Sequence, residues 1–126
     1  MQLYINTSQK NQIKVAVKQG NKILIENNII VEYNQSEKLL PTIDKMLKLK
    51  KINLKKIKKI IVSNQGDYAG FTALRIGIAT ANALGYALGI PVQSDKNNKT
   101  INKNKKFNVI TPIYSKEPNI TLSLAK

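Results

Sequence analysis

Cysteine and histidine are both absent from these 126 residues. Without cysteine the chain can form neither a disulfide nor a thiolate metal site, and it suits a reducing compartment. Without histidine it lacks the commonest general base and metal ligand. Acids are scarce as well: Glu26, Glu32, Glu37, Asp44, Asp67, Asp95 and Glu117 are all there are. No two of them sit at a spacing that suggests a catalytic dyad or a metal pair. Arginine occurs once, as Arg75. The start, Met1-Gln2-Leu3-Tyr4, has no basic segment followed by a long apolar core, so no signal peptide is apparent and a cytoplasmic location is expected. Phe71 to Val92 is apolar enough to raise the question of a membrane span. Thr72, Arg75, Thr80 and Asn82 interrupt it, and much of the rest is Ala and Gly, so the reading is a buried helix and no membrane association.

What the chain has in abundance is lysine, and its net charge is +14. Nucleic-acid readers lean on arginine, whose planar fork grips phosphate and guanine bidentately. Lysine, asparagine and isoleucine rising together is what an A/T-rich coding bias produces. A genuine polyanion surface is the alternative, and both stay open. Attraction to RNA would follow in either case, but it would be salt-sensitive and nonspecific.

The length suits one domain with a proper core. Leu3 to Thr7 reads as a strand. Ile13, Val15 and Val17 alternate with polar residues over Gln12 to Lys18, Gly20-Asn21 is a hairpin turn, and Lys22 to Tyr33 returns. Ser36 is a plausible N-cap for a helix to about Lys50, with Leu39, Ile43, Met46 and Leu47 as its stripe and Pro41 in its first turn. Lys58 to Ser63 is a strand without alternation, as when both faces are covered. A glycine-rich turn, a long helix from Phe71 and a fifth strand around Ile90 to Val92 follow. Residues 1–94 form the lobe, residues 95–106 a polar, lysine- and asparagine-rich linker, and residues 107–126 a strand from Phe107 to Tyr114 with a loose tail.

Ala73, Gly77, Ala81 and Gly85 recur every four residues and form a ridge with almost no side chain. Glycine inside a helix costs ~1 kcal/mol relative to alanine, so close packing is expected there, against the sheet. The run Phe71-Thr72-Ala73-Leu74-Arg75-Ile76-Gly77, the Ala-rich helix and then Gly89-Ile90-Pro91-Val92 resemble the signature of the TsaB (YeaZ) family. Leu3-Tyr4-Ile5-Asn6-Thr7-Ser8, Ser36-Glu37-Lys38-Leu39-Leu40-Pro41 and, near the end, Pro112-Ile113-Tyr114 with Pro118 add to the resemblance. That family is the bacterial non-catalytic partner in tRNA threonylcarbamoyladenosine synthesis. The resemblance implies an α/β half-domain of the actin, Hsp70 and sugar-kinase (ASKHA, ribonuclease H-like) class, with a five-stranded mixed sheet and two main helices. The family has two such halves, and the second lobe is expected to be absent here.

Catalytic members of that superfamily typically place an acid after the first strand, where this chain has Asn6, which cannot act as a base. The catalytic paralogue uses a metal-binding histidine pair, which is lacking. The loop Gln65 to Gly70 could cradle phosphate through Gly66, Ala69 and Gly70 at a helix N-terminus. It lacks the Lys-Ser/Thr ending of a P-loop, and Asp67 would repel an anion, so a structural turn is the stronger reading. The resemblance implies instead a scaffold for a TsaD-like catalytic subunit, bound through both helices at Leu39, Leu40, Ile43, Leu47, Phe71, Arg75, Ile78, Asn82 and Tyr86. No cofactor is expected on this chain. Nucleotide and metal would belong to that partner or to a TsaE-like ATPase, with tRNA in the complex and a homodimer through the same helices as a further association. A basic module that binds tRNA directly through Lys55, Lys56, Lys58, Lys59 and the linker lysines is the alternative.

Overall fold

The period-two alternation of the first segments builds a meander with one apolar face. The computed structural model describes residues 1–9, 11–32, 34–66, 71–95, 111 and 113–114. β1 (Gln2–Asn6), β2 (Gln12–Gln19) and β3 (Lys22–Ile30) pair antiparallel in chain order. Leu3, Ile5, Ile13, Val15 and Val17 are fully buried, and the residues between them, Tyr4, Lys14 and Lys18 included, line the other face. A bulge between Val17 and Lys18 makes Leu24 the extra residue on β3. It sends Ile23 to the open face, where it is half exposed, while Ile25 packs against the core. β3 ends at Ile30, its register with β2 closing at the Gln12–Ile30 pair, and Tyr33 lies outside the described residues. Val31 then turns inward and donates its N–H to the Asn11 carbonyl at 2.9 Å.

α1 (Gln35–Leu49) begins earlier than the sequence suggests. The N-cap is Asn34, whose backbone carbonyl accepts from Glu37 and Lys38, while its side chain turns back to accept from the Glu32 N–H at 3.2 Å. Ser36 is therefore inside the helix, and Pro41 lies in the second turn rather than the first. The early start follows from Gln35, which is buried and drawn in with the helix. At the other end Ile52 N–H reaches the Leu47 carbonyl at 2.9 Å and Lys51 N–H the Lys48 carbonyl at 3.1 Å. This is a Schellman closure with a lysine, at φ 57, in the left-handed position.

A 3₁₀ turn (Leu54–Lys56) leads into β4 (Lys59–Val62), which adds parallel to β1. Burial alternates along β4: Ile60 and Val62 are buried and Ile61 is not. The expectation that both faces are covered therefore fails among the described residues; the unbroken apolar run needs only one covered face here. β5 (Gln65–Gly66) precedes α2 (Phe71–Leu88), and β6 (Val92–Ser94) pairs parallel with β4. β7 (Ile113–Tyr114) pairs with β5 apart from the main sheet, and the rest of the expected 107–114 strand lies outside the described residues. The main sheet is five-stranded and mixed, in order β3-β2-β1-β4-β6, with both helices sharing one core against one face. The last strand starts two residues later than Ile90. Gly89, at φ +66, and Ile90 close α2 by donating to the Tyr86 and Gly85 carbonyls, and Pro91 has no N–H to give a ladder.

The small ridge of α2 faces the sheet. Ala73 and Ala81 are buried, as are Gly77 and Gly85. Thr7, fully buried at the end of β1, donates its Oγ1 hydrogen to the Ala73 carbonyl at 2.6 Å. A Cβ on Gly77 would land on that same Thr7 hydroxyl, and one on Gly85 would come within 2.5 Å of a Val92 methyl.

Two substitutions check this packing. Gly77→Ala raises helix propensity by ~1 kcal/mol, yet it should lower the unfolding free energy by ~1–3 kcal/mol through overpacking, read by denaturant titration. Lys51→Gly should raise stability by about 0.5–1 kcal/mol. It relieves about 1–2 kcal/mol of left-handed strain against the larger chain entropy that glycine loses.

Candidate functional site

Two regions can be weighed: the edge where the parallel strands end, and the outer surface of the helix layer. At the carboxyl ends of parallel strands α/β folds place their ligands. Here that edge holds Asn6, Thr7, Ser63, Asn64, Ser94 and Asp95. Asn6, in the position where catalytic members of the superfamily are expected to carry an acid, is tied into its own turn. Its Oδ1 accepts from the Ser8 N–H at 2.9 Å and the Ser8 hydroxyl at 2.6 Å, and its Nδ2 donates to the Tyr4 phenol at 3.1 Å. Thr7 is held by the Ala73 carbonyl. Ser94 donates to Asn64 Oδ1 at 2.6 Å, and Asn64 Nδ2 donates to the Thr111 carbonyl at 2.9 Å. The Asn6, Thr7, Asn64 and Ser94 side chains are thus fastened to one another or to their surroundings.

One acid remains at this edge. An Asp95 carboxylate oxygen is buried with no hydrogen-bond partner among the described residues. It borders a shallow pocket of about 270 Å³ on the open sheet face, beside Tyr4 and Lys14. Glu26 lines the same pocket but is bonded to Lys14 at 3.0 Å. Among the described residues no group of three possible ligands could hold a metal. Of the phosphate-cradle candidates, Gly66 lies in β5, and Ala69 and Gly70 lie outside the described residues, as does Asp67.

The helix layer separates the nine residues assigned to a partner surface. Leu39, Ile43, Leu47 and Ile78 are between 1% and 6% exposed and belong to the core cluster. They are corrected to core residues: the stripe that marks a helix in a sequence is the stripe that buries against its own sheet. Leu40, Arg75 and Tyr86 are exposed and Asn82 is half-buried. Phe71 is described only as the first residue of α2. Between the helices runs an apolar groove of about 370 Å³, floored by Ile43, Leu47, Ile52 and Leu84 and opened by Leu40. At its rim Asp44 pairs with Lys48 at 2.9 Å.

A second small-residue row went unremarked in the sequence. Ala79, Ala83 and Ala87 are spaced by four and all are exposed. α2 therefore carries short side chains on its solvent side as well as its sheet side, and the spacing was a legible signal. No helix among the described residues is long and apolar enough to cross a membrane.

Comparisons with known proteins agree with this geometry. The family model described as TsaD: tRNA N6-adenosine threonylcarbamoyltransferase matches residues 27–94, more than half of the chain. YeaZ from Pseudomonas aeruginosa superposes with a TM-score of 0.65 at 22% identity, over 74% of this chain and 42% of that one. A structure described as an uncharacterized protein with similarity to peptidase YeaZ, also from Pseudomonas aeruginosa, gives 0.65 and 22% over 74% and 41%. At that identity the likeness establishes the fold, a YeaZ-like half-domain. The chain spans less than half the length of either structure. No curated protein matches it in sequence.

The strand-end edge has an alkaline signature. Burial raises the Tyr4 phenol above its ordinary 10.0, against the Asn6 hydrogen bond and with help from the Asp95 charge. Lys14 is also raised, by its bond to Glu26. Both groups hold their protons more tightly folded than unfolded, so their contribution is complete below pH 10 and is lost as pH rises through the shifted values. Tyr4→Phe should flatten the alkaline decline in stability. The phenolate difference spectrum between the two proteins should place Tyr4 above 10, and a midpoint at or below 10 would contradict the burial.

Proposed function

The chain belongs to the tRNA N6-adenosine threonylcarbamoyltransferase family, and we propose that within it this protein is a non-catalytic scaffold for a TsaD-like catalytic subunit. One observation carries the reading. The Asn6, Thr7, Asn64 and Ser94 side chains at the strand ends are committed to holding the fold, while the solvent side of α2 is a row of alanines flanked by Arg75 and Tyr86. Short side chains let a second helix approach closely. Large exposed groups at the flank, Tyr86 at 69% exposure and Arg75, are the residue types that anchor interfaces. Leu40, at the mouth of the groove between α1 and α2, extends the same surface.

The chemistry is assigned to the partner. A threonylcarbamoyl transfer needs an activated acyl donor, a metal or acid to handle its phosphate, and a base near the adenosine. Asn6 supplies none of these, and its amide is already bonded on both sides. Nucleotide and metal would sit on the TsaD-like subunit or on a TsaE-like ATPase, with tRNA as the substrate of the assembly.

Two variants of the folded chain test the surface by titration calorimetry against the TsaD-like subunit. Ala83→Arg sets a long charged side chain in the alanine row and should abolish association without moving the thermal midpoint. Arg75→Glu should weaken it by about tenfold or more, equivalent to ~1.4 kcal/mol. Unchanged affinity in both would remove the partner from this face.

A further inference from the structure

The topology gathers lysines at one end of the lobe and keeps the described acids off that end, although Lys14 and Lys38 lie toward the other. β1, β4 and β6 run parallel, and each helix leads back to the beginning of the next parallel strand. The starting end therefore gathers the last turn of α1, the 3₁₀ turn and the head of β4. These contribute Lys50, Lys51, Lys55, Lys56, Lys58 and Lys59. The β2–β3 hairpin brings Lys18 and Lys22 to the same end, since Gln2 pairs with both Lys18 and Lys59. The described acids lie elsewhere. Glu32 and Glu37 flank the start of α1, Asp95 follows β6, Glu26 sits mid-strand opposite Ala16, and Asp44 is bonded to Lys48.

A coding bias toward lysine spreads cations over a whole surface and does not clear one end of acids. The helix dipole favours Lys50 and Lys51 at the end of α1, but it does not account for Lys55 to Lys59. Those four are carried on a fixed frame. Asn53 Oδ1 accepts from the Lys55 N–H at 2.9 Å, Ile57 is 1% exposed, and the Lys58 N–H bonds the Met1 carbonyl at 2.9 Å.

We propose that this lysine end is a docking surface for the phosphate backbone of RNA. Lysine holds phosphate as a point charge without reading bases, so the contact is sequence-independent and positions the RNA. The choice of RNA rests on the family reading, in which tRNA is the substrate. A lipid surface fits less well, because the apolar stripe of α1 is buried in the core and leaves only Leu40 and Leu49 exposed on that helix, too few for an apolar face that inserts. The surface lies at the end of the parallel strands opposite Asn6 and Asn64, so the phosphate contact itself is separate from that edge. It is an arm of an assembly whose reaction occurs elsewhere.

The test uses the full chain and two variants that remove equal charge. One carries Lys50→Gln, Lys55→Gln, Lys56→Gln and Lys58→Gln; the other carries Lys99→Gln, Lys103→Gln, Lys105→Gln and Lys106→Gln. Binding of labelled tRNA is followed by fluorescence anisotropy from about 50 to 200 mM salt. The first variant should lose about tenfold or more in affinity, with the log–log salt slope shallower by about 3–4. The second should lose clearly less. Equal or greater loss in the second variant, or no loss in the first, would overturn the proposal. So would a first variant that loses binding to anionic phosphatidylserine vesicles but not to tRNA. Calorimetry of the first variant against the TsaD-like subunit separates the two ideas, since the lysine end and the alanine row are different surfaces. Lost RNA affinity with intact partner affinity is the expected pair of results.

Discussion

The close approach of α2 to the sheet is the constraint on which the rest of the lobe depends. Gly77 lies against Thr7 and Gly85 against Val92, and the Thr7 hydroxyl is bonded to the Ala73 carbonyl one turn before Gly77. No side chain larger than hydrogen fits at either glycine without displacing Thr7 or Val92. That contact sets the rotation of α2 about its axis. With Ala73, Gly77, Ala81 and Gly85 inward, Arg75 and the row Ala79, Ala83, Ala87 are turned outward. The helix surface available to another molecule is thus a consequence of packing at Thr7.

The same hydroxyl is occupied at the strand ends. Thr7 and Asn6 sit where a phosphate- or metal-handling acid would be useful, and both are used to fasten the turn after β1 to its surroundings. The proposed scaffold role follows from that division: a rigid edge, an exposed helix, and charge gathered at the far end of the sheet.

Much of this was legible in the chain, and the exceptions have physical reasons. Alternation located the meander, and the ridge spacing in α2 led correctly to the sheet-facing orientation. Strand order and the two-helix cover agree with the YeaZ-like half-domain. The bulge at Leu24 was invisible, because Ile23 and Ile25 look like neighbours on one face until an extra residue separates them. Pro41 and Ser36 misled about the start of α1, since a buried Gln35 outweighed the usual capping preference. The partner surface was the least legible part. The resemblance assigns Leu39, Ile43, Leu47 and Ile78 to a partner, but their apolar character buries them in the lobe itself. Exposed alanines carry little hydropathy signal, yet they mark where a second helix can come close.

The central claim is that this lobe acts through the outside of its helices and not through its strand ends. Amide hydrogen exchange, measured by mass spectrometry with and without the TsaD-like subunit, tests it most directly. The account predicts slowed exchange in peptides covering α2 and the Leu40 side of α1, with the Asn6–Ser8 and Ser63–Asn64 segments unchanged. Slowing confined to those strand-end segments, with none on the helices, would contradict it.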